Sequence, residues 1–307
     1  MKKLFVFALG LSFCIFFGIS SFEFFLRAIP NDFNLKLQNL NQNKNDIEVL
    51  ILGSSHTYVG VDPNFIDKKA FNLAYSSQTL DLDNLIFNEH KSRLNQLKTV
   101  IIPISYFSYA LALEDGSSAH KIKNYNIYYQ LFSHTIKLEN QFEIFHQPFL
   151  ANYNDLKTYF KNPKFKIAVD QNGFIKKRFV KQNLDWEESA FHAAKNHTLN
   201  FGDEQTKIRI SQNINALEQI ISWCKIHQVK VILVSTPTTN SYLEKLNQEQ
   251  FIHWKNTTQK IVDDNDEVIW LNFLEDNSKF DVSDFQNADH LNQKGAEKLT
   301  RIINSYL

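Results

Sequence analysis

The stretch "VLILGSSHTYVGVDP", Val49–Pro63, runs an apolar segment straight into a Gly-Ser-Ser-His turn. A short continuous apolar run stopped by a glycine suits a strand buried on both faces of a parallel sheet. The same pattern returns in "TVIIPIS" (Thr99–Ser105), "VKVILVSTP" (Val229–Pro237) and "EVIWLNF" (Glu267–Phe273), with helical patterns in the intervals. Before Val229, the apolar Ile210, Ile214, Leu217, Ile221 and Cys224 trace one helix face; in the tail, Ala296, Leu299, Ile303 and Tyr306 do the same, with Asn292 placed as an N-cap. Strands alternating with helices predict a three-layer α/β/α sandwich around a mostly parallel sheet.

The other segments set the boundaries. Lys2 and Lys3 precede a charge-free run from Leu4 to Phe22. As a helix at ~1.5 Å per residue, these roughly 19 residues reach about 28 Å, close to the hydrocarbon thickness of a bilayer. Residues 1–26 are therefore expected to be a membrane anchor or a signal segment. An uncleaved anchor is favoured because the run is longer than a usual signal core and Phe22 follows the small residues Ser20 and Ser21. The paired lysines would stay cytoplasmic, placing the remaining chain on the periplasmic or extracellular side. Residues 27–45, rich in Asn, are expected to form a polar stalk, and 46–307 the α/β domain. Within it, the rhythm fails from Tyr109 to Phe201, which reads as a large, partly helical insertion shaping substrate or partner binding.

Composition excludes several classes. Lys plus Arg and Asp plus Glu are each 33, so no global field favours a polyanion, and nucleic acid is not an expected partner. Two cysteines, Cys14 and Cys224, cannot make a disulfide framework or a thiolate metal site. Neither His192/His197 nor His120/His134 has the helical spacing with an acid that zinc hydrolases use, and His90 sits on a predicted helix. No metal and no cofactor is expected.

Chemistry is expected at the carboxyl edge of the sheet, where "GSSH" ends the first strand. A strand-to-helix turn there lifts a serine oxygen clear of the backbone and aims N–H groups at a developing oxyanion. In "FQNADHLNQKGAEKL", His290 stands just before the last helix with Asp284, Asn287 and Asp289 close by, so a base and a group to orient it are available. His56 and the run Ser235–Tyr242, with Thr236 and Thr238, are candidate substrate contacts at the same edge.

Gly53-Ser54-Ser55 and the late His290 block resemble the SGNH or GDSL hydrolase superfamily, in which a Gly-x-Ser block follows the first strand and Asp-x-x-His precedes the last helix. The resemblance implies Ser55 as nucleophile, His290 as base and, in "FNLAYSSQTLDLD" (Phe71–Asp83), Ser77 as an oxyanion donor where the superfamily has glycine. The Gly-x-Asn-Asp block has no match, since "IPISYFSYA" fills its place. Three residues before His290 stands Asn287, not aspartate, leaving Asp289 or Asn287 to orient the ring. Anchored relatives modify cell-surface polysaccharides, so the resemblance implies a serine acyl esterase or O-acyltransferase acting on a cell-surface or exported glycan. A membrane-bound acyl-donor protein is then an expected partner. The rival expectation is a non-catalytic scaffold of an envelope polysaccharide system.

Overall fold

The computed structural model describes residues 1–131, 137–175, 184–276 and 278–307. His134 lies outside them. In chain order the elements are α1 (Lys2–Arg27), α2 (Asp32–Asn43), β1 (Val49–Ile51), α3 (Ser55–Gly60), β2 (Ala70–Asn72), α4 (Leu80–His90), β3 (Thr99–Pro103), α5 (Ile122–Tyr128), α6 (Phe149–Lys161), α7 (Trp186–His197), α8 (Glu204–Ile226), β4 (Lys230–Ser235), α9 (Asn240–Leu243), α10 (Gln248–Asp263), β5 (Val268–Asn272) and α11 (Gln293–Asn304), with short 3-10 turns between them.

The chain forms two compact units. Met1–Leu37 clusters with His120–Ala168, and Gln38–Ala119 with Val169–Leu307. The second unit holds a sheet in the order β2-β1-β3-β4-β5, and every pairing is parallel. Alternation decides which side chains face which layer. Val49, Ile51, Ile101, Ile232 and Val234 share one core with Leu299 and Ile303 of α11. The intervening Leu50, Val100, Ile102, Val231 and Leu233 are equally buried on the opposite face, where α8 packs on β4 and α4. Burial on both faces explains why these strands read as unbroken apolar runs. The expected three-layer sandwich with a parallel sheet is the observed fold.

One strand escapes the sequence pattern. β2 is three residues, "AFN", too short to show a period, and it pairs with β1 from Val49↔Ala70 to Ile51↔Asn72. It moves β1 off the edge. The sheet thus winds outward from β1 in both directions, and the crevice beyond the carboxyl ends of β1 and β3 is the switch point where such sheets bind ligands.

In the first unit, α1 is long and apolar enough to cross a membrane. The stretch read as a stalk contains α2, where Phe33, Lys36 and Leu40 are buried. The segment read as one insertion is divided. Residues 120–168 cluster with the N-terminal segment; 169–201, including α7, belong to the sheet unit.

Candidate active site

Ser55 opens α3 directly after the β1 turn. Gly53 has φ +111°, and a Cβ there would lie 1.9 Å from Pro103 Cγ, so the turn requires glycine. The Ser54 side chain accepts from the His56 N–H at 3.4 Å and caps the short helix. Behind the turn, the Thr57 hydroxyl donates to Leu52 O at 2.7 Å, and Gly53 N–H donates to Asp83 Oδ1 at 2.8 Å.

The Ser55 hydroxyl meets an imidazole. Its Oγ lies 2.7 Å from His290 Nε2, across 235 positions of sequence. On the ring's other side, Nδ1 is 3.0 Å from Asp289 Oδ1 and 3.2 Å from Asn287 Oδ1. Adjacent side chains usually diverge, and the loop explains why these do not. Asn287 Oδ1 accepts the backbone N–H groups of His290 at 2.8 Å and Asp289 at 3.3 Å, while Gln286 N–H donates to His290 O at 2.9 Å. This tight turn folds Asp289 back beneath the ring. Both residues left open by the sequence therefore approach Nδ1, with different geometry.

Asp289 is almost fully buried and faces three imidazoles. His56 Nε2 lies 3.6 Å and His197 Nδ1 4.0 Å from its Oδ2. Burial works against ionisation of Asp289, yet the His290 ring, with His56 and His197, outweighs it and holds the carboxyl well below its usual range. Burial pushes His56 down, and His197 down to about 3, against the pull of Asp289, so both stay neutral near pH 7. Ser105 Oγ holds His56 Nδ1 at 2.7 Å, and Tyr242 OH holds His197 Nδ1 at 2.8 Å. The charge relation is then one anionic carboxylate and one ring, His290, placed to take a proton. An ionised Asp289 favours the tautomer that carries hydrogen on Nδ1, which frees Nε2 to accept from Ser55.

Two cavities flank this line. One, of about 490 Å³, is lined by Ser54, Ser55, Ser77, Phe107, Leu111 and Leu113 among others. The other, more open and about 800 Å³, is lined by Asp185, Glu188, His192, Gln286, Asn287 and His290. Asn196 and His197 border both. Ser77 has φ +68°, the left-handed conformation that glycine adopts most readily, and its hydroxyl donates to Ser118 Oγ at 3.0 Å. His56 and Thr236, read as substrate contacts, are each 4% exposed and line neither cavity. Thr238 borders a separate hollow with Phe280 and Phe285.

Ligand atoms of His56, Asp289 and His290 lie within 4.8 Å of one another, the one such group among the described residues. Within this group Asp289 Oδ1 is already paired with His290 Nδ1 at 3.0 Å. Sequence reasoning missed Ser105, Tyr242 and the part of His197 that faces Asp289. No spacing signals them, because Ser105 and His197 stand far apart in the long β3–β4 connection, Tyr242 follows β4, and Ser105 and Tyr242 act on the rings of His56 and His197 only once the chain is folded.

No protein-family model matches the chain, and no curated protein matches it. Among solved structures, it is similar to a candidate platelet activating factor from Streptococcus pneumonia, at 10% identity over 89% of this chain and 90% of that one, with a TM-score of 0.44. It is also similar to a candidate acylhydrolase from Bacteroides fragilis, at 11% identity over 89% and 97% with a TM-score of 0.41. A GDSL-like lipase from Bacteroides thetaiotaomicron aligns at 12% identity over 90% and 99%, with a TM-score of 0.39.

Proposed function

We propose that this chain is a serine acyl esterase or O-acyltransferase, held at a membrane by α1 with its sheet unit on the outer side. One observation carries the reading: Ser55 Oγ at 2.7 Å from His290 Nε2, whose Nδ1 is 3.0 Å from the Asp289 carboxylate. As Ser55 Oγ attacks an ester carbonyl, its proton passes to His290 Nε2, and Asp289 stabilises the imidazolium that forms. The oxyanion is received by the Ser55 N–H and, from the same cavity, by Ser77. His290 then returns the proton to the departing alcohol and leaves an acyl group on Ser55.

The second half follows the second cavity. A hydroxyl entering from the polar side lined by Asp185, Glu188 and Asn287 gives up its proton to His290 and attacks the acyl carbonyl; the bond to Ser55 Oγ breaks, and His290 returns the proton to that oxygen. Water gives hydrolysis; a sugar hydroxyl gives transfer. The glycan acceptor and a membrane-bound acyl-donor partner rest on the resemblance of the Gly53-Ser54-Ser55 and His290 blocks to the SGNH superfamily. A fluorophosphonate probe tests the core of the reading. It should label the purified chain at Ser55, and labelling should vanish in Ser55→Ala. An unlabelled native chain would leave a scaffold instead.

A further inference from the structure

The first unit presents an apolar surface that the site does not use. On α6, Phe149, Tyr153 and Phe160 fall within about 40° of one another at ~100° per residue. They are 66%, 50% and 72% exposed. Leu150 and Lys157 border this stripe, with Lys161 beyond them, all three exposed. Asn152 and Leu156 occupy the buried side of the helix. An apolar stripe edged by lysines is the pattern of a helix lying in a bilayer interface, with aromatic rings at the acyl boundary and ammonium groups among the headgroups.

Position identifies what covers it. The ring of Phe149 lies 5.1 Å from that of Phe22, the last residue of the charge-free run of α1. The stripe therefore begins level with the end of the apolar helix. The level is fixed by polar contacts. Glu23 accepts the backbone N–H groups of Glu143 at 3.0 Å and Ile144 at 2.9 Å, and Arg27 joins Glu23 at 2.6 Å and Gln141 O at 2.7 Å. Leu26, Ile29 and Leu156 close a small core beneath, with Phe22, Ile144 and Tyr159 against it. Asn152 ties α6 to this platform through Ile144 O and Gln147 O, each at 3.2 Å.

From these contacts we infer that α6 is a membrane-interface helix, which seats the apolar stripe of Phe149, Tyr153 and Phe160 in the leaflet that α1 leaves. This rests on α1 being a membrane anchor. The insertion then gives a single spanning helix a foot, so that the first unit stands at a set height and angle on the lipid surface.

The test uses the full chain in phosphatidylethanolamine–phosphatidylglycerol vesicles carrying lipids with a nitroxide at a shallow or a deep acyl position. A bimane on native Cys14, which is exposed on α1, reports the anchor; buried Cys224 stays unlabelled. In a Cys14→Ser background, Tyr153→Cys and Phe160→Cys report α6, and Lys260→Cys on α10 is the control. Deep nitroxides should quench Cys14, and shallow ones should quench positions 153 and 160 on the order of two-fold, leaving 260 bright. Adding Leu150→Glu and Phe160→Glu to the 153 reporter should abolish its quenching, while the same pair of substitutions in the chain with native Cys14 should leave Cys14 quenched. Quenching at Cys14 with none at 153 and 160 overturns the interface helix alone. No quenching at Cys14 removes the anchor and the foot together. Persistence at 153 in the double glutamate variant shows that the label, not the helix, seeks lipid, and also overturns the proposal.

Discussion

The Ser55 turn and the His290 loop face each other across 2.7 Å and are built by opposite means. The Ser55 side is regular: a buried strand, a glycine that only glycine can be, a capping serine and a helix. The His290 side has no repeating element. Its geometry comes from an Asn287 side chain that bends the backbone and from rings delivered by α3 and α7 onto one buried carboxylate. A regular strand-turn-helix places Ser55, whereas the Asp289 carboxylate owes its position to an irregular local turn and its charge to rings that only the assembled fold brings to it.

The largest effects should come where the two sides meet. Ser55→Ala and His290→Ala are each expected to lower kcat for an activated acyl ester by about 10³-fold or more, and the double variant to lose little further, because the pair acts as a unit. Additive losses would separate the two sides and break the comparison at its centre. Within the loop, Asp289→Ala should lower kcat by roughly 10³- to 10⁴-fold by removing the charge that sets the tautomer. Asn287→Ala should cost roughly tenfold, through misplacement of the loop. The reverse ranking, with Asn287→Asp faster than the native chain, would make Asn287 the orienting group.

The two sides should also respond to pH with opposite sign. Behind the Ser55 turn, Asp83 is buried; burial pushes its carboxyl up to about 7, although Gln78 Nε2 at 2.6 Å and Gly53 N–H favour the charged form. Its folded value exceeds the unfolded one, so its contribution is present below about pH 4 and is lost as pH rises through about 7. Asp83→Asn keeps an oxygen for both donors and cannot ionise. It should raise stability at pH 8 by up to roughly 4 kcal/mol and leave pH 4 unchanged, read as Tm against pH. On the His290 side, His197 is depressed to about 3 by burial, so the unfolded chain takes up its proton first and stability falls as pH drops from about 6.5 towards 3. His197→Gln should flatten that acid limb. Equal pH profiles for native and variant chains would show that these groups are solvated after all.

What is legible in the sequence divides along the same line. Strands buried on both faces announce themselves as apolar runs, so β1, β3 and β4 stand out; the half-buried edge strand β5 is legible from its own run of β-rich residues, and α8 and α11 from their apolar faces. Tyr306 continues the α11 spacing in sequence yet is 42% exposed, because the helix ends at Asn304. Strand β2 escapes because its three residues carry no period and are strand only by pairing with β1. Ser55 and His290 are legible as an early and a late block. The ring of His56, Ser105, His197 and Tyr242 about Asp289 is not, since hydrogen bonds across distant crossovers leave no spacing behind.

The smallest expected effect lies where the irregular loop becomes regular again. Asn292 caps α11 by accepting from Gly295 N–H at 3.1 Å, and its Nδ2 donates to Ser283 O at 2.7 Å and Phe285 O at 3.1 Å. One side chain thus starts the helix and laces the segment that leads into the His290 turn. Asn292→Ala should remove about 1 kcal/mol of stability through the lost cap. If the lacing also holds the loop, kcat and the rate of Ser55 labelling by the probe should fall together a few-fold while the final extent of labelling is unchanged, because His290 would sample its bonded position less often while the Ser55 turn stays intact. Asn292→Asp separates capping from lacing, since it retains the capping oxygen but cannot donate to Ser283 and Phe285. Stability near the native value with reduced kcat would tie the irregular side to its lacing. Full activity in both variants would mean that the Asn287 turn alone is enough to place the base.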